Sequence, residues 1–364
     1  MQQVDDTEGI EVSRKQYDLA VFIGRMQPLH NGHVRNIKKA LEIADHVLVI
    51  AGSANQPRTP KNPFTADERA EMVYTIFGED NDRVHVAGVE DYYPDALWLK
   101  NVQTVVHKHI IHNGVDTFDA KVAILGHDKD HTSFYLKMFP TWDFVEIGHR
   151  LHDEENKILD ASVIRDHYFT RNLDKIVGDV SAEVLAFLVR FAKTADYETL
   201  IDEYEYIHRY KKEWEAAPYP PTFVTTDAIV IQSGYVLLVK RRTAPGKGLW
   251  ALPGGFVNQH ERLEDGVIRE LREETKLKVP VPVLKGSIKH FEVFDAPHRS
   301  LRGRTITNAF LFALEDQQSL PKVKGSDDAI EARWFPLDIV DAMGSILFED
   351  HKSIIQTMVG KLEN

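Results

Sequence analysis

Apolar and polar positions change rhythm twice along this chain. From Tyr17 the run YDLAVFIG is continuously apolar, HVRNIKKALEIA places Val34, Ile37 and Leu41 at helical spacing, and HVLVIAG is apolar again. The alternation continues through DRVHVAGV, a helix-like stretch ALWLKNVQTVVHKHI, then KVAILGH and WDFVEI. Buried strands alternating with amphipathic helices predict βαβ units and a mostly parallel, doubly wound α/β sheet. From Ser181 to about Glu215 the pattern is helical only, and APYPP, Ala217 to Pro221, then stops the helix and stiffens the connection. Beyond it, TFVTTDAIVIQ and YVLLVKRR read as hairpin strands around a Ser-Gly turn. VPVLKGSIKHFEVF and TITNAFLFAL read as further strands, with one strong helix from about Leu263 to Thr275, an α+β pattern. The expected organisation is a flexible arm over 1–16, a first domain over 17–216, a linker over 217–221 and a second domain over 222–364. Each half carries a pattern that looks complete, so each is expected to fold and act by itself.

Composition narrows the class. Hydrophobic residues make up 43% and charged residues 27% of 364, the balance of an ordinary globular protein. No apolar run reaches the roughly eighteen residues that a membrane span needs. The polar, acidic start MQQVDDTEGIEVSRKQ lacks the pattern of a signal peptide. The absence of cysteine fits a reducing cytoplasm, and cytoplasmic is the expected location. A net charge of -12 argues against nucleic acid as a partner. It leaves room for small anionic substrates, because a few local cations can hold phosphates on an acidic background. Nothing in the composition opposes a homo-oligomer.

The first chemical constellation is GRMQPLHNGH, Gly24 to His33, at a strand-to-helix junction. In an open α/β sheet, ligands bind at such carboxyl ends of strands. The helix is expected to begin near Asn31 to His33, with free N–H groups that favour a phosphate. Gly24 and Gly32 allow close backbone approach, His30 and His33 can donate hydrogen bonds to phosphate oxygens, and Arg25 adds a permanent positive charge. No nucleophile is present and none is required, since phosphoryl-type transfer rests on positioning and charge stabilisation. The second constellation is GGFVNQHERLEDGVIRELREETKL, beginning at Gly254. Glu270, Glu273 and Glu274 stand at i, i+3 and i+4, so their carboxylates share one helix face. Such a cluster is either a solvated acidic face or a seat for a hard divalent cation such as Mg²⁺ or Mn²⁺.

GRMQPLHNGH resembles the signature of the nucleotidyltransferases marked by His-x-Gly-His, and its GRxQPxHxGH form resembles their nicotinamide-mononucleotide adenylyltransferase branch. GSANQPRTPKNPFTADER, ILGHDKD and LDASVIR resemble further segments of that branch. Asp160 and Ala161 depart from its usual ISSTxIR motif, and Met26 stands where Phe is common. The resemblance implies a Rossmann-like domain that joins ATP to nicotinamide mononucleotide (NMN), giving NAD and pyrophosphate. It implies that Arg25, His30, His33, Ser162 and Arg165 stabilise the developing charge, with Mg²⁺ on the phosphates. Gly24, Gly32, Ser53, Gly126 and Asp128 would contact nucleotide, and Asn62, Phe64 and Trp98 would sit on the nicotinamide side. Phe64 and Trp98 have core residues as their plain alternative.

Gly255, Glu261, Arg269, Glu270, Leu271, Glu273, Glu274 and Leu277 match the Nudix signature, with Lys276 where Gly is usual. That resemblance implies hydrolysis of a nucleoside diphosphate linked to another group by metal-activated water. Glu270, Glu273 and Glu274 would hold metal, Glu273 and Glu274 would carry catalysis, and Arg269 with Glu261 would brace the loop around Gly255. KRRTAPGKGLWALPGGF and FEVFDAPHRSLRGRTIT resemble the Nudix module fused to such adenylyltransferases, whose substrate is ADP-ribose, cut to AMP and ribose 5-phosphate. Arg241, Arg299, Arg302 and Arg304 would meet its diphosphate or terminal ribose phosphate. A further base could be Asp327, Asp328 or Glu331. Two alternatives stay open: a Nudix domain that senses ADP-ribose without cutting it, and an adenylyltransferase for another phosphorylated acceptor such as nicotinate mononucleotide.

Overall fold

The computed structural model describes residues 15–78, 82–114, 117, 119–127, 135–147 and 159–362. Asp128 and most of the expected N-terminal arm lie outside the described residues. The first sheet is five-stranded and parallel, in the order β3-β2-β1-β4-β5, from β1 (Tyr17–Gly24), β2 (Ala44–Ala51), β3 (Val84–Gly88), β4 (Val122–Gly126) and β5 (Asp143–Glu146). Side chains alternate across a strand. Ala20 and Phe22 therefore pack with Val34 and Ile37 of α1 (Asn31–Ile43) and Met72 of α2 (Ala66–Phe77). Leu19, Val21 and Ile23 pack with Val102 and Val106 of α3 (Asp95–His112) on the other face. Both faces are covered, which is why the strand read as an unbroken apolar run. The short α4 (Ala161–Phe169), then α5 (Ala182–Phe191) and α6 (Ala195–Glu213), close the domain.

The second sheet is seven-stranded and mixed. Its main path is β10 (Ile288–Phe294), β11 (Arg304–Ala313), β6 (Thr222–Gln232), β7 (Tyr235–Arg241) and β12 (Ala329–Pro336). β8 (Trp250–Ala251) pairs with β7, and β9 (Gly254–Phe256) pairs with β6. On β6, Ala228 and Val230 pack under Val267, Ile268 and Leu271 of α7 (Leu263–Thr275), while Ile229 and Ile231 share a core with Ile354, Ile355 and Met358 of α9 (His351–Val359). One expectation fails here: VPVLKG is not strand but a short helix, α8 (Val281–Gly286), with Pro280 as its N-cap. Proline suits the first turn of a helix, where no N–H is needed, and would break a strand ladder.

The chain between α6 and β6 is irregular from Trp214 to Pro221. The two domains nonetheless interlock. Tyr93 packs edge-on against Phe294 at 4.9 Å, and its hydroxyl donates to Asp350. Lys352 pairs with Glu90, and Trp214 packs against Phe223 at 5.2 Å.

Candidate active sites

The first site is built where β1 ends and α1 begins. His30 is the N-cap of α1, and its Nδ1 accepts from the Gly32 N–H at 3.2 Å. His33 Nδ1 accepts from the His30 N–H at 3.3 Å, closing a capping box made of two histidines. The rings stack at 3.7 Å. A ring nitrogen that accepts from a backbone N–H carries no proton, so each neutral ring bears its proton on Nε2. Desolvation, then the neighbouring His30 ring, hold His33 well below the ordinary histidine range. A Cβ on residue 32 would stand 3.0 Å from the His30 ring, so Gly32 leaves room for the stack. Gly24 is less constrained, since a Cβ there would meet only ordinary contacts.

The backbone N–H groups at this helix start are not free as the sequence suggested. Asn31 donates to the Asp179 carbonyl at 2.9 Å, and Gly32 is taken by His30. The start of α4 is likewise capped: Asp160 Oδ1 accepts from the Ser162 N–H at 2.7 Å. Asp160 thus has a structural task that explains its place in DASVIR. Side chains supply the positive charge instead. Arg165 donates to the Gln27 carbonyl at 2.7 Å and to Ser162 Oγ at 3.2 Å. Burial, then Arg25, push Arg165 down to about 10. Burial, then Arg25, also lower the Lys61 ammonium, and Arg165 adds to this. Three cations therefore crowd one place. Arg69, which sequence reasoning passed over, is 1% exposed and donates to the Arg25 carbonyl at 2.8 Å and the Gly52 carbonyl at 2.6 Å. It fixes the loop that carries Arg25. Its only sequence signal is its place in TADER, where Thr65 and Glu68 form the capping box of α2.

Arg25, Ser53, Lys61 and Asn62 line a cavity of about 590 Å³ that also touches the second domain. Ser53 donates to Asp91 at 2.6 Å. Phe64 is corrected: it is 2% exposed and packs against Phe187 and Phe191 at 5.5 and 5.2 Å, while its backbone exchanges hydrogen bonds with Gln27. An aromatic side chain that loses water on all sides gains more as core than at a wet site. Trp98 is half-buried edge-on against Tyr135 at 5.9 Å and does not line this cavity. Gly126 is filled over by Leu136, 2.5 Å from where a Cβ would stand, so it is a packing glycine in this structure.

The second site lies under α7. Arg269 donates to both oxygens of Glu261, at 3.0 and 2.6 Å, and to Glu270 at 2.8 Å and Glu273 at 2.9 Å. The bond from Arg269 is the largest influence holding Glu261 down at about 2. This is the bracing role expected of the pair. A Cβ on Gly255 would stand 2.7 Å from the Glu270 carboxylate, so that glycine admits the acid. Glu274 is 6% exposed and accepts from the Gly254 N–H at 3.0 Å. Burial pushes it up to about 8, helped by Glu270 and Asp328. Burial raises Glu270 as well.

A second cavity of about 290 Å³ is lined by Glu270, Glu274 and Asp328 together with Arg241, Arg299 and Arg302. Glu273 does not line it. Its side chain is 44% exposed and held by Arg269. Among the described residues no group of three acidic or histidine side chains is gathered to hold a metal ion. Of the expected triad, Glu270 and Glu274 thus line the cavity and Glu273 does not. Arg304 is also displaced, bonding the Asp295 carbonyl away from the cavity. Arg241 stacks over Phe348 at 4.1 Å, and Arg302 over Phe256 at 5.2 Å. Of the three undecided acids, Asp328 alone lines the cavity, whereas Glu331 pairs with Arg333. Lys276 ends α7 in the left-handed region at φ 51°, a cost of about 1 kcal/mol against glycine.

Sequence reasoning missed Asp227, Glu349 and His351, which also line this cavity. His351 Nδ1 accepts from the Leu252 N–H at 2.8 Å, and burial presses the ring down to about 3. These residues lie far from the Nudix signature in sequence, and no spacing connects them to it.

A parallel α/β sheet with two stacked histidines at a strand-to-helix junction, followed by a mixed sheet with an acid-lined helix, defines two nucleotide-handling domains in one chain. The cytidylyltransferase-like family model matches residues 21–221, and the NUDIX domain model matches residues 221–357. The chain belongs to the cytidylyltransferase-like family and carries a NUDIX domain behind that fold. It is 34% identical over 190 residues to a nicotinamide/nicotinic acid mononucleotide adenylyltransferase of Acinetobacter baylyi, covering 52% of this chain and 94% of that protein. It is 36% identical over 133 residues to an ADP-ribose pyrophosphatase of Methanocaldococcus jannaschii, covering 36% of this chain and 70% of that protein. Across both domains it resembles a bifunctional NMN adenylyltransferase/ADP ribose pyrophosphatase of Francisella tularensis, with TM-score 0.84, 34% identity, and coverage of 94% of this chain and 99% of that one. A second structure from that organism, at TM-score 0.84 and 33% identity over 95% of this chain and 99% of that one, is complexed with AMP and a manganese ion. Among the described residues no helix is long and apolar enough to cross a membrane.

Proposed function

We propose that this chain is a bifunctional enzyme of NAD metabolism: it transfers adenylate from ATP to NMN, and it hydrolyses ADP-ribose to AMP and ribose 5-phosphate. The carrying observation is that one chain, aligned almost end to end with a bifunctional relative, holds a cavity lined by Arg25 and Lys61 in its first domain and a cavity lined by Glu270 and Glu274 in its second. Residues 17–216 form the synthetic domain and 222–364 the hydrolytic one, joined over 217–221.

In the synthetic site the phosphate of NMN attacks the α-phosphorus of ATP, and pyrophosphate leaves. Arg25, Lys61 and Arg165 meet the negative charge that builds on the phosphates. The Nε2–H groups of His30 and His33 donate to phosphate oxygens, with the tautomer set in advance by the capping box. Ser162 orients Arg165 and is itself a donor. The donor set here is cationic, so it does not fit a resident metal. Mg²⁺ would arrive on the nucleotide.

In the hydrolytic site Glu270 and Glu274 fit a hard divalent cation, because both turn carboxylate oxygens into one cavity and burial raises both. Such a metal would supply an activated water. Arg269 and Glu261 hold the helix and loop in register. Arg241 and Arg302 bind diphosphate and stack against aromatic rings that keep them in place. Incubation of the purified chain with ATP and NMN, and separately with ADP-ribose and Mg²⁺ or Mn²⁺, tests the reading by chromatography of products. NAD in the first and AMP in the second are expected. AMP absent while ADP-ribose still raises the melting temperature would make the second domain a sensor.

A further inference from the structure

The 590 Å³ cavity belongs to neither domain alone. Arg25, Ser53, Lys61 and Asn62 of the synthetic domain form one wall, and His298, Arg299, Glu349 and Lys352 of the Nudix domain form the other. We infer that the Nudix domain completes the acceptor pocket of the adenylyltransferase, so that the mononucleotide binds against side chains of both domains. This rests on the reading of the first domain given above.

Three observations carry it. The second wall is fixed to the first by bonds around the cavity. Tyr93 donates to Asp350, which holds Arg299 through two bonds of 2.8 and 2.7 Å, and Lys352 pairs with Glu90. Lys61 Nζ reaches the His298 carbonyl at 3.4 Å. Next, the walls approach as closely as backbone allows: a Cβ on Gly344 would stand 2.2 Å from the Asn55 carbonyl oxygen. Such contact is made only where the relative position of two domains is defined. Finally, the cavity has unmet chemistry of two kinds. Asn62 Oδ1 is buried with no hydrogen-bond partner, and Lys61 and Arg25 line the same wall, where burial and Arg25 lower the Lys61 ammonium in spite of Asp91 and Glu349. A phosphate monoester satisfies the cations, and a ring carrying an N–H donor, such as a carboxamide, satisfies the acceptor. A volume of this size is ample for one mononucleotide.

The pocket also adjoins the hydrolytic site, because Arg299 and Glu349 line both cavities. His298 faces the acceptor cavity and not the hydrolytic one, and the same is true of Gly344. Those two positions therefore separate the domains' functions.

The test uses the full chain with His298→Ala and with Gly344→Ala. Steady-state synthesis is measured against NMN and against ATP, together with ADP-ribose hydrolysis and thermal unfolding. The expected result is a rise in KM for NMN of about threefold in His298→Ala and about tenfold in Gly344→Ala, with KM for ATP and the hydrolase rate within about twofold of wild type. A merely structural role would lower kcat, melting temperature and hydrolysis together. KM for NMN within about twofold of wild type in both variants overturns the proposal. If Gly344→Ala unfolds early and loses both activities, His298→Ala alone decides. A wild-type chain that makes no NAD is a separate result, which removes the adenylyltransferase reading and this proposal with it.

Discussion

The two sites solve opposite electrostatic problems. The cradle at the start of α1 gathers cations: Arg165 is pressed to about 10 and Lys61 is lowered, each by burial and by positive neighbours. The cavity under α7 gathers anions: Glu274 is raised to about 8 and Glu270 is raised too, by burial and by negative neighbours. Like charges brought together out of water cost stability unless a ligand of opposite sign joins them. On the function proposed above, phosphate would play that part in the first site and a metal in the second, where Arg241, Arg269, Arg299 and Arg302 already answer part of the negative charge.

The sharpest break in this comparison is Glu274→Gln. It keeps shape and removes one inward carboxyl group that could ligate a metal, so ADP-ribose hydrolysis is expected to fall by about a thousandfold or more as the activating metal is lost. NAD synthesis measured on the same preparation should persist, and stabilisation by added Mn²⁺ in a thermal scan should shrink. Full hydrolysis in this variant would return the acidic face to mere solvation. The reverse experiment is His33→Ala, which removes a donor from the cradle. Synthesis should drop by about 10²-fold to 10³-fold at saturating ATP, with hydrolysis unaltered.

A smaller effect concerns pH. His351 is neutral in the folded chain with its pKa near 3, below the ordinary 6.5 of the unfolded state. A depressed pKa gives stability that is complete above the unfolded value and is lost as pH falls toward the folded one. The melting temperature should therefore decline on acidification between about 6.5 and about 3, and His351→Gln should flatten that decline over the same window. Smallest in its effect on activity is Phe64→Leu. Its ring is core, so stability should fall by about 1 kcal/mol while KM for NMN stays near wild type. A large rise in that KM without loss of stability would put the ring back at the acceptor site.

The sequence by itself determined what is local. GRMQPLHNGH specified the strand end, the helix start and the two histidines, because a capping box needs only residues three apart. Glu270, Glu273 and Glu274 were placed on one face by helical periodicity, and the five strands of the first sheet with β6, β7, β10 and β11 of the second by their apolar runs, whereas β8, β9 and β12 went unread. What periodicity does not contain is the direction a side chain takes once neighbours arrive. Glu273 bonds Arg269 outside the cavity, Phe187 and Phe191 claim Phe64, and Leu136 covers Gly126. Arg69 and His351 were invisible because their partners lie 17 to 99 residues away in the chain. The same reason applies between domains. Two halves that each look complete as patterns meet through Tyr93, Asp350, Lys352 and Gly344, and no spacing in the sequence records that meeting. Burial, hydrogen bonding and charge crowding act through space, and only the tertiary structure sets which groups share that space.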